Sequence, residues 1–246
     1  MKKQMKVNSI DSLNNDPVGL AIRDFSLTGS DQKIIVSSDL CDDDELPVSY
    51  FFRTYAKMPE LEKKAMEFCS GFVLDVGAGA GCHSLYLKEK GIQVSAIDVS
   101  DGAVEFLKNS GLNAEKKTIF DLGENQFDTI LLLMNGIGLA ESIEKLPAFL
   151  SQLKKILKPG GKIICDSSDI SYLYTDEDGS FLIDLNGKYY GEMVFNMKYK
   201  NHETGWFDWL YIDYDNLAEH AGRVGLEPSF MYEGENNHYL AMLEKK

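Results

Sequence analysis

At 246 residues, 44% of them hydrophobic, the chain has room for one large domain, or a domain with an appendage, and for a sizeable buried core. No apolar run approaches the length of a membrane span and the basic start MKKQMK is followed by no hydrophobic signal core, so no membrane association is expected and the cytoplasm is the expected location. A formal net charge of -14 repels a phosphate backbone, and no Lys/Arg cluster interleaves with aromatics, so neither DNA nor RNA is expected as a substrate.

Residues 1–59 precede the first clear strand-turn-helix unit. Within them 33–37 is strand-like, 42–45 is a solvated acidic run and 47–55 (PVSYFFRTY) is rich in aromatics around one arginine, Arg53. Two readings of the aromatic stretch stand side by side. It closes over a ligand site as a lid, or Tyr50, Phe51, Phe52 and Tyr55 dock the extension onto the core. Residues 59–69 have helical spacing, with Leu61, Ala65 and Phe68 on one side and Glu/Lys on the other, and Gly71 breaks that helix.

Residues 73–82, VLDVGAGAGC, read as strand, glycine turn and helix. Glycine is needed where φ turns positive or where a ligand approaches closely, and the first amides of the following helix have no intrahelical partners. The carboxylate of Asp75 separates two ligands for such a turn. It repels a dinucleotide's pyrophosphate, whereas an ammonium and a sulfonium favour it. The dinucleotide fingerprint also wants Gly or Ala at the sixth motif position, which here is Cys82.

Gly91 stops the helix, and 93–97 is a second strand ending at Asp98, an acid placed to accept from ribose hydroxyls or to head the next helix. A third strand is expected over 114–120, followed by Asp121. Residues 127–134 form an almost continuous apolar run, the pattern of a strand buried on both faces, and exit at Asn135-Gly136-Ile137-Gly138. Pro147 opens a helix whose stripe is Phe149, Leu150, Leu153, Ile156 and Leu157; 158–161 stops it, and 162–166 is the fifth strand. Strands alternating with helices argue for a parallel sheet built from right-handed crossovers.

Beyond Asp166 the rhythm changes. Ser167, Ser168 and Asp169 lie at the carboxyl edge, and an aromatic-rich insertion over about 170–212 contains two β segments, 191–200 and 205–212, joined as a hairpin at 201–204. It walls off a small substrate, covers a sheet face or makes a homodimer contact. Asp213 or Asp215 caps a helix through Leu217, Ala221 and Val224, ending at Gly225, and 228–233 with 238–243 form a closing strand pair. The four cysteines, Cys41, Cys69, Cys82 and Cys165, show no metal-like pairing and read as reduced thiols.

The stretch VLDVGAGAGC resembles motif I of the class I S-adenosylmethionine-dependent methyltransferases, and LKPGG before the fifth strand is a second landmark of that family; the resemblance covers about 60–246. It implies an α/β, Rossmann-like, seven-stranded, mostly parallel sheet with helices on both faces and a terminal antiparallel strand, to which 1–59 adds an extension and 170–212 an inserted β-hairpin. It implies S-adenosylmethionine as cofactor and a small-molecule methyl acceptor. The residues it marks for the cofactor are Asp75, Gly77, Ala78, Gly79, Gly81, His83, Asp98, Val99, Asp121, Met134 and Asn135. On the acceptor side stand Tyr50, Arg53, Asn135, Asp169, Tyr189 and Trp209. No motif singles out a general base among Asp169, His238, His202 and Tyr211. No metal is expected; a metal-dependent version would use the oxygens of Asn135, Asp166 and Asp169. Two rivals remain at this point: a catalytically silent binding module, and an NAD-dependent oxidoreductase, which Asp75, Cys82 and LKPGG oppose.

Overall fold

The computed structural model describes residues 15–174 and 187–246. The start MKKQMK and the 175–186 part of the expected insertion lie outside them. In chain order the regular elements are α1 (Pro17–Thr28), β1 (Lys33–Ser38), β2 (Asp44–Pro47), α2 (Glu60–Phe68), β3 (Phe72–Val76), α3 (Cys82–Glu89), β4 (Gln93–Asp98), α4 (Asp101–Asn109) and β5 (Asn113–Lys116). They continue with β6 (Phe127–Leu132), α5 (Leu146–Ile156), β7 (Leu157–Ser168), β8 (Glu192–Tyr199), β9 (His202–Glu203), β10 (Phe207–Leu210), α6 (Tyr214–Arg223), β11 (Leu226–Glu233) and β12 (His238–Lys245).

The larger sheet has seven strands in the order β11-β12-β7-β6-β3-β4-β5, with β12 antiparallel to both neighbours and the pairs from β7 to β5 parallel. This is the expected α/β architecture with its terminal antiparallel strand. The apolar run at β6 sits mid-sheet because both of its faces are covered. On one side Ile130 and Leu132 pack with Phe149, Leu150 and Leu153 of α5, and on the other Leu131 packs with Leu61 and Ala65 of α2 and Leu87 of α3.

Three local details differ from the sequence reading. β5 ends at Lys116, short of 120, because Thr118 and Asp121 form a reciprocal capping box that turns the chain into a 3-10 turn, Ile119–Asp121. β6 ends at Leu132 because Met134 and Asn135 take φ of 65° and 56°. The segment 158–161 does not merely stop α5; it is the irregular start of β7, whose register against β6 shifts between Phe127 and Thr129.

The hairpin forms, with β8 and β10 antiparallel, yet its strands do not enter the main sheet. They build a second, five-stranded sheet, β10-β8-β1-β2 with β9 beside β8, in which residues 35–38 of the N-terminal extension pair with residues 195–198 of the insertion. The extension also contains a helix that the sequence reading did not place, α1. Its signals are Pro17 in the first turn and Asp16 at the N-cap, accepting from Gly19 N at 2.8 Å. The same carboxylate accepts from Ser100 Oγ at 2.8 Å and Gly102 N at 3.1 Å, so it ties α1 to the start of α4. The two helices cross so closely that a Cβ on Gly102 would lie 2.5 Å from the backbone of Gly19.

Candidate functional site

β3 delivers the chain into the glycine turn, where Gly77, Gly79 and Gly81 all have positive φ. Their surroundings divide them. A Cβ on Gly81 would stand 2.5 Å from Leu107 of α4, so this glycine serves helix packing. A Cβ on Gly79 would meet only Phe51, at 3.5 Å, and one on Gly77 only Leu139, at 3.8 Å. The open face of the turn is thus roofed by apolar side chains from the aromatic strap and from the loop after β6.

Asp75 is buried and lies beneath the turn, accepting from Ser84 Oγ of α3 at 2.6 Å. Burial raises its pKa above the ordinary carboxylate value, with His83 and Ser84 opposing. His83 points into the same buried region, where Nε2 donates to Glu62 Oε2 at 2.9 Å, and Glu62 also takes the guanidinium of Arg53, at 3.1 Å from Nε and by an ion pair to Nη2. Burial opposes charge on the imidazole, but Cys82, Glu62 and Asp75 outweigh it and raise His83 to about 10. Glu62 is held below the ordinary value, since His83 and Arg53 outweigh its burial. Arg53, expected beside the acceptor, is therefore a buried partner of α2, with its Cζ 4.1 Å from the Tyr50 ring centroid. Helical spacing places Glu62 on the polar side of its helix. It instead falls on the face of Leu61, Ala65 and Met66, and an acid three and four residues before two apolar stripe positions is the signal that marks it.

At the end of β4, Asp98 accepts from Gly79 N and from Ser100 N, each at 2.8 Å, and so holds the turn in shape. Burial raises its pKa. Beside it Val99 is 66% exposed and, after β5, Phe120 is 62% exposed, two apolar side chains left open to solvent. Asp121 is exposed, and its carboxylate folds back onto Thr118 N and Oγ at 2.8 and 2.9 Å.

After β6, Asn135 is buried with both ends of its amide engaged: Oδ1 accepts from Ser167 Oγ at 2.8 Å and Nδ2 donates to Leu210 O at 3.3 Å. It joins β6, β7 and β10. Asp166, 1% exposed at the end of β7, accepts from Gly136 N at 3.2 Å through Oδ1 and from His238 Nε2 at 2.8 Å through Oδ2. Asp166 is among the charges acting on both Tyr50 and Tyr211, and burial first, then Tyr172 and Asp166, push the Tyr211 phenol to about 12.

The remaining expected residues make contacts within the fold. Asp169 accepts from Ser171 N and Tyr190 Oη, both at 2.9 Å. Tyr189 Oη donates to Asp213, the N-cap of α6, at 2.5 Å. Trp209 lies against Gly138, where any Cβ would be 2.1 Å from its Nε1. His202 sits on β9 opposite Tyr199. Among the described residues no three His, Cys, Asp or Glu side chains are grouped to hold a metal ion. Two clefts flank these groups. One of about 600 Å³ is lined by Arg53, Ala80, Cys82 and Tyr86 among others; the other, of about 360 Å³, opens on His238 beside Asp169, Asp213 and Tyr239.

These residues fit an adenosine-bearing methyl donor: a bare turn that a Cβ at Gly79 would fill, an acid beside it and exposed apolar walls at Val99 and Phe120. Comparison with known proteins agrees. A family model described as a methyltransferase domain matches residues 74–165. The structure of a SAM-dependent methyltransferase from Bacteroides fragilis, in complex with S-adenosyl-L-homocysteine, is 44% identical, covers 94% of both chains and superposes with a TM-score of 0.87. A 23S rRNA (uracil(747)-C(5))-methyltransferase of Pyrococcus horikoshii is 43% identical over 65 residues, 25% of this chain and 16% of that protein. A ubiquinone biosynthesis O-methyltransferase of Rickettsia conorii is 29% identical over 111 residues, 43% of this chain and 37% of that protein. The chain spans well under two thirds of these last two relatives, whose names give them different acceptors.

Proposed function

The chain belongs to the S-adenosylmethionine-dependent methyltransferases, with S-adenosylmethionine as its cofactor, and from that premise we propose that it methylates a small molecule at an oxygen or nitrogen that gives up its proton to His238. The observation that carries this reading is the pair at the carboxyl edge, His238 Nε2 donating to the buried Asp166 at 2.8 Å. With Nε2 carrying the hydrogen, Nδ1 is left as a base. No hydrogen bond is made to Nδ1 among the described residues, and the imidazole side chain is a third exposed.

When bound, the cofactor supplies an electrophilic methyl carbon on a positively charged sulfur. The protein's part is to align and to exclude water. Gly77, Ala78 and Gly79 would form the cradle, Asp98 would accept from the ribose, and Val99 and Phe120 would flank the adenine. Asp75 would place its charge beneath the ammonium from inside the fold. Met134 and Asn135 would shape the space beside the methyl group, Asn135 by holding β10 in place rather than by touching the acceptor. As the acceptor's oxygen or nitrogen bonds to the methyl carbon and the carbon-sulfur bond breaks, its proton would pass to Nδ1 of His238. Tyr50 and Tyr211 would wall the acceptor, and the second sheet would be its roof.

A small acceptor fits the net charge of -14, which opposes nucleic acid. Four unpaired cysteines suit a reducing compartment such as the cytoplasm. The test is conversion of S-adenosylmethionine to S-adenosylhomocysteine over fractionated metabolite extracts, followed by His238→Asn on the acceptor found. Turnover that collapses in the variant is expected. Cofactor binding without turnover in any fraction would favour a silent module, and turnover unchanged by the variant would remove His238 as the base.

A further inference from the structure

Tyr211 is tethered through its backbone and left free at its hydroxyl. Its N–H donates to Gly191 O at 2.7 Å, and a Cβ on Gly191 would lie 1.9 Å from Tyr211 O. The residues on either side are pinned to the ends of β6 and β7. Leu210 O accepts from Asn135 Nδ2 at 3.3 Å, Ile212 N donates to Ser167 Oγ at 3.0 Å, and Ile212 O accepts from Tyr239 Oη at 2.8 Å. Ser167 in turn donates to Asn135 Oδ1 at 2.8 Å, so one buried network braces both flanks. Successive side chains of an extended chain point to opposite faces. Leu210 and Ile212 are buried in the core around α5, and Tyr211 between them turns the other way, its ring centroid 6.3 Å from that of Phe195 and its phenol within the field of Asp166.

Neighbouring phenols spend their hydroxyls on the fold: Tyr189 donates to Asp213 and Tyr190 to Asp169. Tyr211 Oη makes no hydrogen bond among the described residues, and every enclosed side-chain polar atom among them has a partner, so this hydroxyl is accessible rather than sealed in. With its pKa raised to about 12, it stays protonated at neutral pH and stands as a braced proton donor near the carboxylate that orients His238. Such a donor calls for a lone pair. A hydroxyl oxygen has two, one to accept from Tyr211 and one to attack. A neutral amine nitrogen has one, and it loses its nucleophilic pair when it accepts.

We propose that the methyl acceptor is a hydroxyl group and that Tyr211 selects it by donating to the attacking oxygen. One lone pair of that oxygen forms the bond to the methyl carbon, the carbon–sulfur bond breaks with its electron pair returning to sulfur, and the hydroxyl proton passes to Nδ1 of His238. The products are a methyl ether, S-adenosylhomocysteine and an imidazolium paired with Asp166. The Tyr211 hydrogen bond strengthens as negative charge develops on the oxygen. For the destination of the proton the proposal rests on the reading of His238 as the base.

S-Adenosylmethionine labelled with carbon-13 in its methyl group, incubated with the parent and an unfractionated metabolite extract, gives a product whose carbon chemical shift tells methyl on oxygen from methyl on nitrogen before the acceptor is identified. Methyl on oxygen is expected; methyl on nitrogen, sulfur or carbon overturns the proposal. With the acceptor isolated from that extract, Tyr211→Phe should lower kcat about tenfold to a hundredfold, the scale of a hydrogen bond to a charged group. Its affinity for S-adenosylhomocysteine in calorimetry and its melting temperature should stay parental, since the hydroxyl removed bonds nothing in the fold. An unchanged kcat, or a loss accompanied by weaker cofactor binding or a lower melting temperature, would overturn the role of Tyr211. Failure of the base reading looks different: His238→Asn then turns over like the parent, while methyl on oxygen and the Tyr211→Phe loss still support the hydroxyl. No labelled product from any extract removes the methyl-transfer reading and the proposal with it.

Discussion

Replacing Gly79 and Gly81 by alanine, one at a time, separates the ligand-facing part of the turn from the packing part. Both positions have positive φ, 56° and 77°, so each alanine carries a strain of about 1–2 kcal/mol. At Gly81 the new methyl would also stand 2.5 Å from Leu107 and 3.2 Å from Leu112, two buried residues of the α4 side. Overpacking of that kind costs about 1–3 kcal/mol, for a total of about 2–5 kcal/mol. A domain of this size loses about 2–4 °C per kcal/mol, so Gly81→Ala should melt about 4–20 °C lower. At Gly79 the methyl meets only Phe51, at an ordinary 3.5 Å, and the loss should stay within about 2–8 °C. That methyl nevertheless lies between turn and roof, where the cofactor is proposed to enter. Differential scanning calorimetry gives the first quantity and titration with S-adenosylhomocysteine the second. Gly79→Ala should lose at least about tenfold in affinity, about 1.4 kcal/mol, for the smaller loss of stability. Parental affinity in Gly79→Ala, or weakened binding without a lower melting temperature in Gly81→Ala, would refute the division.

Asp98→Asn turns an amide N–H towards Gly79 N or Ser100 N and removes the charge from the ribose acceptor, so S-adenosylhomocysteine should bind about tenfold to over a hundredfold more weakly in calorimetry. His238→Asn should lower kcat by about a hundredfold to ten-thousandfold on any acceptor found, with cofactor affinity in calorimetry close to parental. The stability supplied by Glu62, whose pKa is lowered, is present above about pH 4.5 and is lost as the pH falls; that supplied by His83, raised to about 10, is full below about pH 6.5 and is lost as the pH climbs to about 10. The parent's melting temperature should therefore fall between pH 6.5 and 10, and His83→Gln should flatten that limb. Asp16→Ala removes the N-cap of α1 and its ties to Ser100 and Gly102, and hydrogen exchange should show α1 opening more readily by about 1–2 kcal/mol.

The main sheet was legible because its signals are local. An apolar run, a glycine or proline at each boundary and an acid at the end of β4 lie within a few residues of one another. What escaped depends on contacts far apart in sequence. Arg53, Glu62 and His83 meet across 30 positions, and nothing in the composition of PVSYFFRTY says that its arginine faces inward rather than towards an acceptor. His238 was one histidine among four until pairing between β12 and β7 brought it to Asp166. Asp75 is the instructive case. Its carboxylate suggested a cationic ligand at the turn, and the structure finds it inside the fold on Ser84. The cofactor assignment stands on the relative that is 44% identical over 94% of the chain, while the part proposed for the aspartate is only that of a charge acting from beneath.

Two stretches read from the sequence as separate additions, one before the glycine turn and one after the fifth strand, share a single sheet because β1 pairs with β8. The strap between β2 and α2 brings Phe51 over Gly79, and β10 brings Trp209 onto Gly138 and Leu210 to Asn135. One body of β-structure thus touches the glycine turn through its first half and the exit of β6 through its second. Pairing between strands resists independent movement of its members, since opening either one breaks a row of backbone hydrogen bonds. On the proposed placement, whatever closes over the cofactor also closes over the acceptor, and the anchoring of α1 to Ser100 and Gly102, two and four residues beyond Asp98, fastens that body to the end of the site where the adenosine is proposed to lie.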